Sequence, residues 1–328
     1  MKRTITVGTR TSQLALWQTQ YVIACLQRAW PDLRCNLTNF TTKGDRILDR
    51  PLPEIGGKGL FTVELENALL ASEIDIAVHS LKDLPVANAP GLVVGAIAGR
   101  EDVRDCLIAR NGSTLETLPS GSVVGTSSIR RKSQLLAARS DLTVRSIRGN
   151  VPTRIRKVIE GDYDATILAA AGVVRLGLAE SVVEWLDLSI MLPAPGQGAL
   201  AVQCRANDNE ILRLLAAIDD APARLATTAE RAFLEQLGGG CAAPIAAFAQ
   251  ARSDRTGTTR LHMDALVGAD DGSQLLRVSG SGVDPVILAT DLTREVQELG
   301  AKVLLAGTRP SPAKSIEAPL AGRRIVVT

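Results

Sequence analysis

One of the five cysteines, Cys241, stands behind three consecutive glycines in Leu237-Gly238-Gly239-Gly240-Cys241, with Ala242-Ala243-Pro244 after it. Glycine permits φ > 0 and lets a bulky group approach the main chain. A thiol on such an uncrowded loop is placed to carry a group covalently. The plainer reading is a helix ending at Leu237, a glycine cap, and a small buried Cys opening the next strand. One glycine suffices for a cap, so three favour the functional loop. A second chemistry sits in His79-Ser80-Leu81-Lys82-Asp83, where a carboxylate follows an ammonium. By itself Asp83 could equally cap a helix or pair with Lys82.

The third set is arginine beside Ser and Thr. It comprises Arg10-Thr11-Ser12, Thr126-Ser127-Ser128-Ile129-Arg130-Arg131, and Arg148-Gly149-Asn150-Val151-Pro152-Thr153-Arg154, with Arg156 and Arg175 nearby in the chain. Arginine outnumbers lysine 29 to 8. Its planar fork pairs bidentately with carboxylate or phosphate, whereas lysine is a point charge. Taken singly, each of these arginines reads as a surface ion pair. Five or more at predicted strand-to-helix junctions point instead to a ligand with several carboxylates.

The elements that position these groups alternate. A strand at 3–8 runs into a helix over 12–29 with Ser12 as N-cap, then a strand at 33–41. The segment 42–59 is rich in Gly, Pro and charge and is long enough for a functional loop. A helix at 61–71 and strands at 74–78 and 92–98 complete a first βαβ unit with a mainly parallel sheet. The pattern restarts after Arg100, with strands at 106–109, 122–125, 142–147 and 165–168 and helices at 129–139 and 151–159. Pro193-Ala194-Pro195-Gly196-Gln197-Gly198 marks a crossing, and the strand 199–204 can return to the first sheet. A third, α+β unit follows: a helix from 221 to 237, strands at 243–249, 260–267 and 275–279 with a hairpin turn at 270–273, and a helix from 284 to 305. The expected fold is α/β, with two lobes around a cleft and a smaller α+β C-terminal domain. In such sheets ligands sit at the carboxyl ends of strands, where helix N-termini with Ser or Thr caps form anion sites.

Composition narrows the class. Hydrophobic residues make up 45% and charged residues 22%, an ordinary globular balance. The N-terminus has no apolar stretch of signal-peptide length, and no uncharged apolar run approaches membrane-spanning length. An odd number of cysteines without a CxxC pair argues against a disulfide framework or structural zinc and fits a reducing cytosol. Cys25, Cys35, Cys106 and Cys204 fall in apolar helix or strand patterns and read as packing residues. Two histidines leave little for metal sites, and no metal is expected. Nine aromatics and a net charge of +2 give little for nucleic acid to stack on or be drawn to.

Together the motifs resemble the porphobilinogen deaminase (hydroxymethylbilane synthase) family. The resemblance runs from about Ile5 to about Leu305. It rests on Gly8-Thr9-Arg10-Thr11-Ser12, Lys43-Gly44-Asp45, Gly56-Gly57-Lys58-Gly59-Leu60-Phe61, His79-Ser80-Leu81-Lys82-Asp83, Gly125-Thr126-Ser127-Ser128-Ile129-Arg130-Arg131, Arg148-Gly149-Asn150-Val151 and Gly239-Gly240-Cys241. It implies two lobes like type II periplasmic binding proteins plus a third domain, divided as 1–99 with 199–216, 100–198 and 221–305. It also implies a transferase that condenses four porphobilinogen molecules into hydroxymethylbilane, releasing ammonia at each step. The primer would be dipyrromethane, attached to Cys241 by a thioether. By the same resemblance Lys82, Ser80, Thr126, Ser128, Arg130, Arg131 and Arg148 bind the cofactor, and Arg10, Ser12, Arg154 and Arg175 bind substrate. Asp83 is catalytic, and Lys58 and Phe61 end a mobile cover. The implied setting is a cytoplasmic monomer without nucleic-acid or membrane partners, its product passing to uroporphyrinogen-III synthase.

Two other classes compete: a two-lobed carboxylate-binding protein without catalysis, and an Arg-rich nucleic-acid binder. Neither needs Cys241 on a glycine loop, and neither would raise the intact mass above the sequence value. The segment 306–328 reads as a linker ending in Arg323-Arg324-Ile325-Val326-Val327, similar to the opening strand of uroporphyrinogen-III synthase, and is expected to be the start of a fused domain or the remnant of one. A frayed tail or a short edge strand is the alternative.

Overall fold

The computed structural model describes residues 4–46, 59–239, 243–253 and 259–307. The chain opens with β1 (Thr4–Arg10), α1 (Gln13–Ala29), β2 (Arg34–Phe40) and a single turn, α2 (Lys43–Arg46). It continues with α3 (Val63–Leu70), β3 (Ile76–Ser80), a 3-10 turn at Leu81–Asp83, and β4 (Leu92–Arg100). A second group holds β5 (Asp105–Ala109), β6 (Val123–Gly125), α4 (Ile129–Ala138), β7 (Thr143–Arg145), α5 (Val151–Ile159), β8 (Ala165–Ala169), α6 (Ala170–Arg175) and β9 (Glu184–Trp185). Then come β10 (Ala199–Arg205), α7 (Asn209–Ala216), α8 (Ala221–Gln236), β11 (Ile245–Ser253), β12 (Thr259–Gly268), β13 (Leu275–Gly282), α9 (Pro285–Glu298) and α10 (Ala301–Gly307).

These strands form two five-stranded sheets, β2-β1-β3-β10-β4 and β7-β6-β8-β5-β9, and a three-stranded sheet β11-β12-β13. Each large sheet has one strand against the common direction. β10 runs antiparallel between β3 and β4, and β5 runs antiparallel between β8 and β9. The expectation of mainly parallel sheets therefore holds by direction, and β10 does return to the first sheet. Every residue of its Ala199–Cys204 run is buried, as a central strand requires. β3 starts later than expected and extends to Ser80, because Ser80 still pairs with Leu200.

Helix faces explain the layers. α1 buries Ala15, Gln18, Thr19, Val22 and Leu26, a stripe at helical spacing. Val22 and Leu26 join Ile5, Val7, Ile76, Val78 and Val202 in one core. The opposite face of that sheet is covered by Leu65 and Leu69 of α3 with Ile74 and Ala77. In the third unit Phe233 of α8 and Leu288, Leu292 and Val296 of α9 pack on Met263, Ala265 and Val278 of its sheet. The hairpin turn at 270–273 forms as expected, closed by Ala269 N–H donating to the Gln274 carbonyl at 2.9 Å. The expected single helix over 284–305 is two helices, because Gly300 takes φ +102 after Leu299 and ends α9.

Two segments cross between the large sheets, 101–104 and 193–198. They lie so close that a Cβ on Gly198 would meet the Glu101 carbonyl oxygen at 2.4 Å. Gly198 also has φ +86, so the crossing demands glycine on both counts.

Candidate active site

The loops at the carboxyl ends of β1, β3, β6 and β8 converge on the crossing. Each helix entry has a local cause. Ser12 caps α1 by accepting from Ala15 N–H at 3.3 Å, Ser128 caps α4 by accepting from Arg131 N–H at 3.4 Å, and Asn150 caps α5 by accepting from Thr153 N–H at 3.0 Å. Thr126 supports the second of these, its hydroxyl accepting from Ser128 N–H at 3.2 Å. None of the three helices has an acidic residue in its first turn, so their positive ends stay available to an anion.

Arg130 and Arg131 sit in the first turn of α4, where a helix dipole disfavours cations. Asp105, at the start of β5 and fully buried, compensates. Its Oδ1 accepts from Arg131 Nη2 at 2.7 Å, and its Oδ2 accepts from Arg131 Nε at 3.1 Å and Arg130 Nη2 at 2.8 Å. The remaining bonds go to main-chain carbonyls: Arg130 to Leu192 at 2.6 Å and Arg131 to Ile167 at 3.0 Å. Despite its burial, the two guanidiniums hold the Asp105 carboxyl far below its ordinary range. Gln197, also fully buried, ties the crossing to this node. It donates to Asp105 Oδ1 at 2.8 Å and accepts from Lys82 Nζ at 3.2 Å. Lys82 is pushed down to about 8 by burial and by Arg131.

Arg148 and Arg154 lie on the same side. Arg154 Nε donates to the Gly149 carbonyl at 2.8 Å. Burial, with repulsion from Arg131 and Arg148, lowers Arg154 to about 10. Asp83 is exposed on the 3-10 turn across from these cations, and its charge is felt by Lys82, Arg131 and Arg154. Ser80, one strand position before that turn, accepts from Gln18 Nε2 at 2.8 Å. Arg10 lays its guanidinium over Phe61, 4.4 Å from the ring centroid. Arg10, Ser12, Phe61, His79, Ser80 and Asp83 line one pocket.

Arg175 stands apart from the other cations. It is buried, donates to the Gly198 carbonyl at 2.6 Å and lies 5.6 Å over Trp17, which places it at the crossing. Cys241 and Lys58 lie outside the described residues, as does the closing segment from 308. Two of the three glycines before Cys241 have structural causes. Gly238 takes φ +63 past the end of α8 and donates to Glu235, while Gly239 N–H donates to Leu234, a paired helix stop. A Cβ on Gly239 would lie 2.5 Å from Ile245 Cδ1. The glycine cap of the plainer reading is thus present, formed by Gly238 and Gly239.

Sequence reasoning missed Asp105 and Gln197. Asp105 announces itself only as a carboxylate leading an apolar strand, and its partners lie 25 and 26 residues away. Among the described residues no cluster of His, Cys, Asp or Glu could hold a metal ion, and no helix is long and apolar enough to cross a membrane.

Comparison with known proteins follows the same lines. Residues 5–213 match the family described as porphobilinogen deaminase, dipyromethane cofactor binding domain, and residues 224–303 match porphobilinogen deaminase, C-terminal domain. The chain is 50% identical over 308 residues to porphobilinogen deaminase of a Roseiflexus species, covering 94% of this chain and 100% of the relative. It is 48% identical over 300 residues to that of Brevibacillus brevis, covering 92% and 96%. Among solved structures, the methionine binding protein MetQ superposes with a TM-score of 0.42 at 12% identity, covering 68% of this chain and 92% of that one. The chain therefore belongs to the porphobilinogen deaminase family, transferases of tetrapyrrole biosynthesis that make hydroxymethylbilane with a dipyrromethane cofactor.

Proposed function

We propose that this chain builds hydroxymethylbilane from four porphobilinogen molecules on a primer attached at Cys241, with Asp83 as the catalytic carboxylate. The observation that carries the residue roles is the convergence of Lys82, Arg131, Arg148 and Arg154 opposite Asp83, with the cations repelling one another. Such a set suits a polycarboxylate. Arg130 and Arg131 share one buried counter-charge, Asp105, and each guanidinium keeps N–H groups beyond those bonded to Asp105 and the carbonyls. The dipyrromethane group, when attached, supplies the pyrrole carbon on which the chain grows.

The protein's own residues do the rest. Arg130, Arg131, Arg148, Lys82, Ser80, Thr126 and Ser128 receive the carboxylates of the primer, while Arg10, Ser12, Arg154 and Arg175 receive those of incoming substrate. The Asp83 carboxylate stabilises positive charge developing on a pyrrole ring as ammonia leaves, and it can hold the proton released after carbon–carbon bond formation. Phe61 and Lys58 end the cover over the cleft. The same reading divides the chain into 1–99 with 199–216, 100–198 and 221–305, and places it as a monomer in the cytoplasm. Its product would pass to uroporphyrinogen-III synthase.

Intact mass tests the reading. The purified chain should exceed its sequence mass by one primer and gain further pyrrole units in steps when porphobilinogen is added. Cys241→Ser should lack the first increment and lose turnover. Full turnover by a chain of bare sequence mass would overturn the assignment.

A further inference from the structure

Asp83 ends the 3-10 turn Leu81–Asp83 and is exposed there, so its position follows the main chain that carries it. That main chain has little support of its own. The turn stops with Leu84 N–H donating to the Leu81 carbonyl at 3.1 Å, and 3-10 bonds are poorly aligned. From Leu84 to Gly91, before β4, there is no helix or strand, so these carbonyls have no ladder to bond to.

Arg231 of α8 supplies partners. Its Nη1 donates to the carbonyls of Leu81 at 3.4 Å and Leu84 at 3.2 Å, and its Nη2 to those of Pro85 at 2.7 Å and Val86 at 3.0 Å. One planar fork therefore holds the main chain on both sides of Asp83. Packing wedges the same turn in place. Leu81 and Leu84 share a core with Ala223 of α8, and a Cβ on Gly196 of the crossing would lie 2.9 Å from Leu81 Cγ. α8 is a firm support, because its Ala229 and Phe233 are fully buried in the third core.

A guanidinium on carbonyls is not in itself a mark of function. Arg139 grips Leu115, Glu116 and Leu118 in the same way, at a turn that carries none of the site residues. The segment held by Arg231 differs in what it carries: Lys82, which reaches Gln197, and Asp83, whose charge is felt by Arg131 and Arg154. We propose that Arg231 is a positioning residue for the reaction, setting where Asp83 stands against those cations by gripping the main chain from Leu81 to Val86. The role rests on the function proposed above, in which Asp83 is the catalytic carboxylate. Because the four bonds go to main chain, Arg231 acts through Asp83 rather than on the substrate. A misplacement of about 1 Å at a reacting centre can cost about a hundredfold in rate.

The test uses the full chain with its primer confirmed by mass, assayed well below the melting temperature of every variant. Arg231→Met keeps the stem and removes the fork, while Arg231→Lys keeps the charge as a point. Arg231→Met should lower kcat about a hundredfold with KM for porphobilinogen within about twofold, and Arg231→Lys should fall between it and the parent. A double-mutant cycle separates positioning from general damage. In an Asp83→Ala background, with residual elongation followed by single-turnover mass spectrometry, adding Arg231→Met should change the rate by less than about twofold. Where Arg231→Met fails to fold, Arg231→Lys carries the same cycle. Losses that multiply in the double mutant, or a primed Arg231→Met chain with kcat within about threefold of the parent, would overturn the positioning role alone. Near-normal kcat in Asp83→Ala would overturn the role proposed for Asp83, and that of Arg231 with it.

Discussion

Arg131, proposed above to receive a primer carboxylate, is also bound into the scaffold. Its bonds to Asp105 are bidentate, and Asp105 is buried. Removing the guanidinium by Arg131→Leu takes two bonds from the buried Asp105 carboxylate and leaves it to Arg130 and Gln197, so a loss of about 3 kcal/mol is expected in denaturant melts. Arg148→Leu has no such consequence for Asp105. It should leave the midpoint within about 1 kcal/mol of the parent while impairing primer assembly or elongation. Lysine should rescue function only in part at either position, since the fork is lost. Complete rescue would mean that bulk positive potential suffices. Asp83 is exposed, so Asp83→Ala should fold and acquire primer yet lose nearly all elongation, with Asp83→Glu retaining more. Near-normal kcat in Asp83→Ala would pass the role to another group. His79 adds a pH dependence. Its folded pKa, about 4, lies below its ordinary 6.5, so between these values the unfolded chain takes up a proton that the folded one does not. Stability from this group is present above 6.5 and falls as pH drops, by up to about 3 kcal/mol across the window. Thermal melts at pH 7 and 5 should show a larger drop for the parent than for His79→Gln, and equal drops would contradict the buried neutral imidazole.

The elements divide into those announced locally and those fixed from afar. Ser12, Ser128 and Asn150 each carry the signal of a helix start within three residues, and α1, α4 and α5 begin where those caps place them. The apolar period through 284–305 continues across Gly300, so periodicity alone hides the break that its φ imposes. β9 is two residues long and has no room to show alternation. Gln197 and Asp105 were illegible as a pair because their bond spans 92 residues, a tertiary fact without local pattern. Glu230 of α8 is similar. Buried completely, it accepts from Gly196 N–H at 2.7 Å, Ala249 N–H at 2.7 Å and both terminal nitrogens of Arg100. One helix thereby holds the crossing, the end of β4 and β11 together. Glu230→Ala should cost about 3–5 kcal/mol, because it leaves two buried main-chain donors without an acceptor and Arg100 without its counter-charge. A change under about 1 kcal/mol in urea melts would show that the clamp is redundant.

For the whole molecule, the third core closes with Ala301, Leu304 and Leu305 of α10. A chain ending at Gly307 keeps all three, so removing 308–328 should leave turnover and melting temperature nearly unchanged. A large loss of either would assign the tail to this fold. The placement of β10 has a further consequence, for the order in which the protein is made. The first large sheet lacks the strand between β3 and β4 until residues 199–205 have been synthesised, and until then both strands present open edges. All five strands of the other sheet lie between Asp105 and Trp185. The lobe encoded second can therefore mature first on the ribosome, while the amino-terminal lobe waits for its missing centre. A fragment of residues 100–198 should show protected amides in hydrogen exchange, whereas a fragment of 1–99 should not. The amino-terminal half of the binding cleft is thus the last part of the two large lobes to exist.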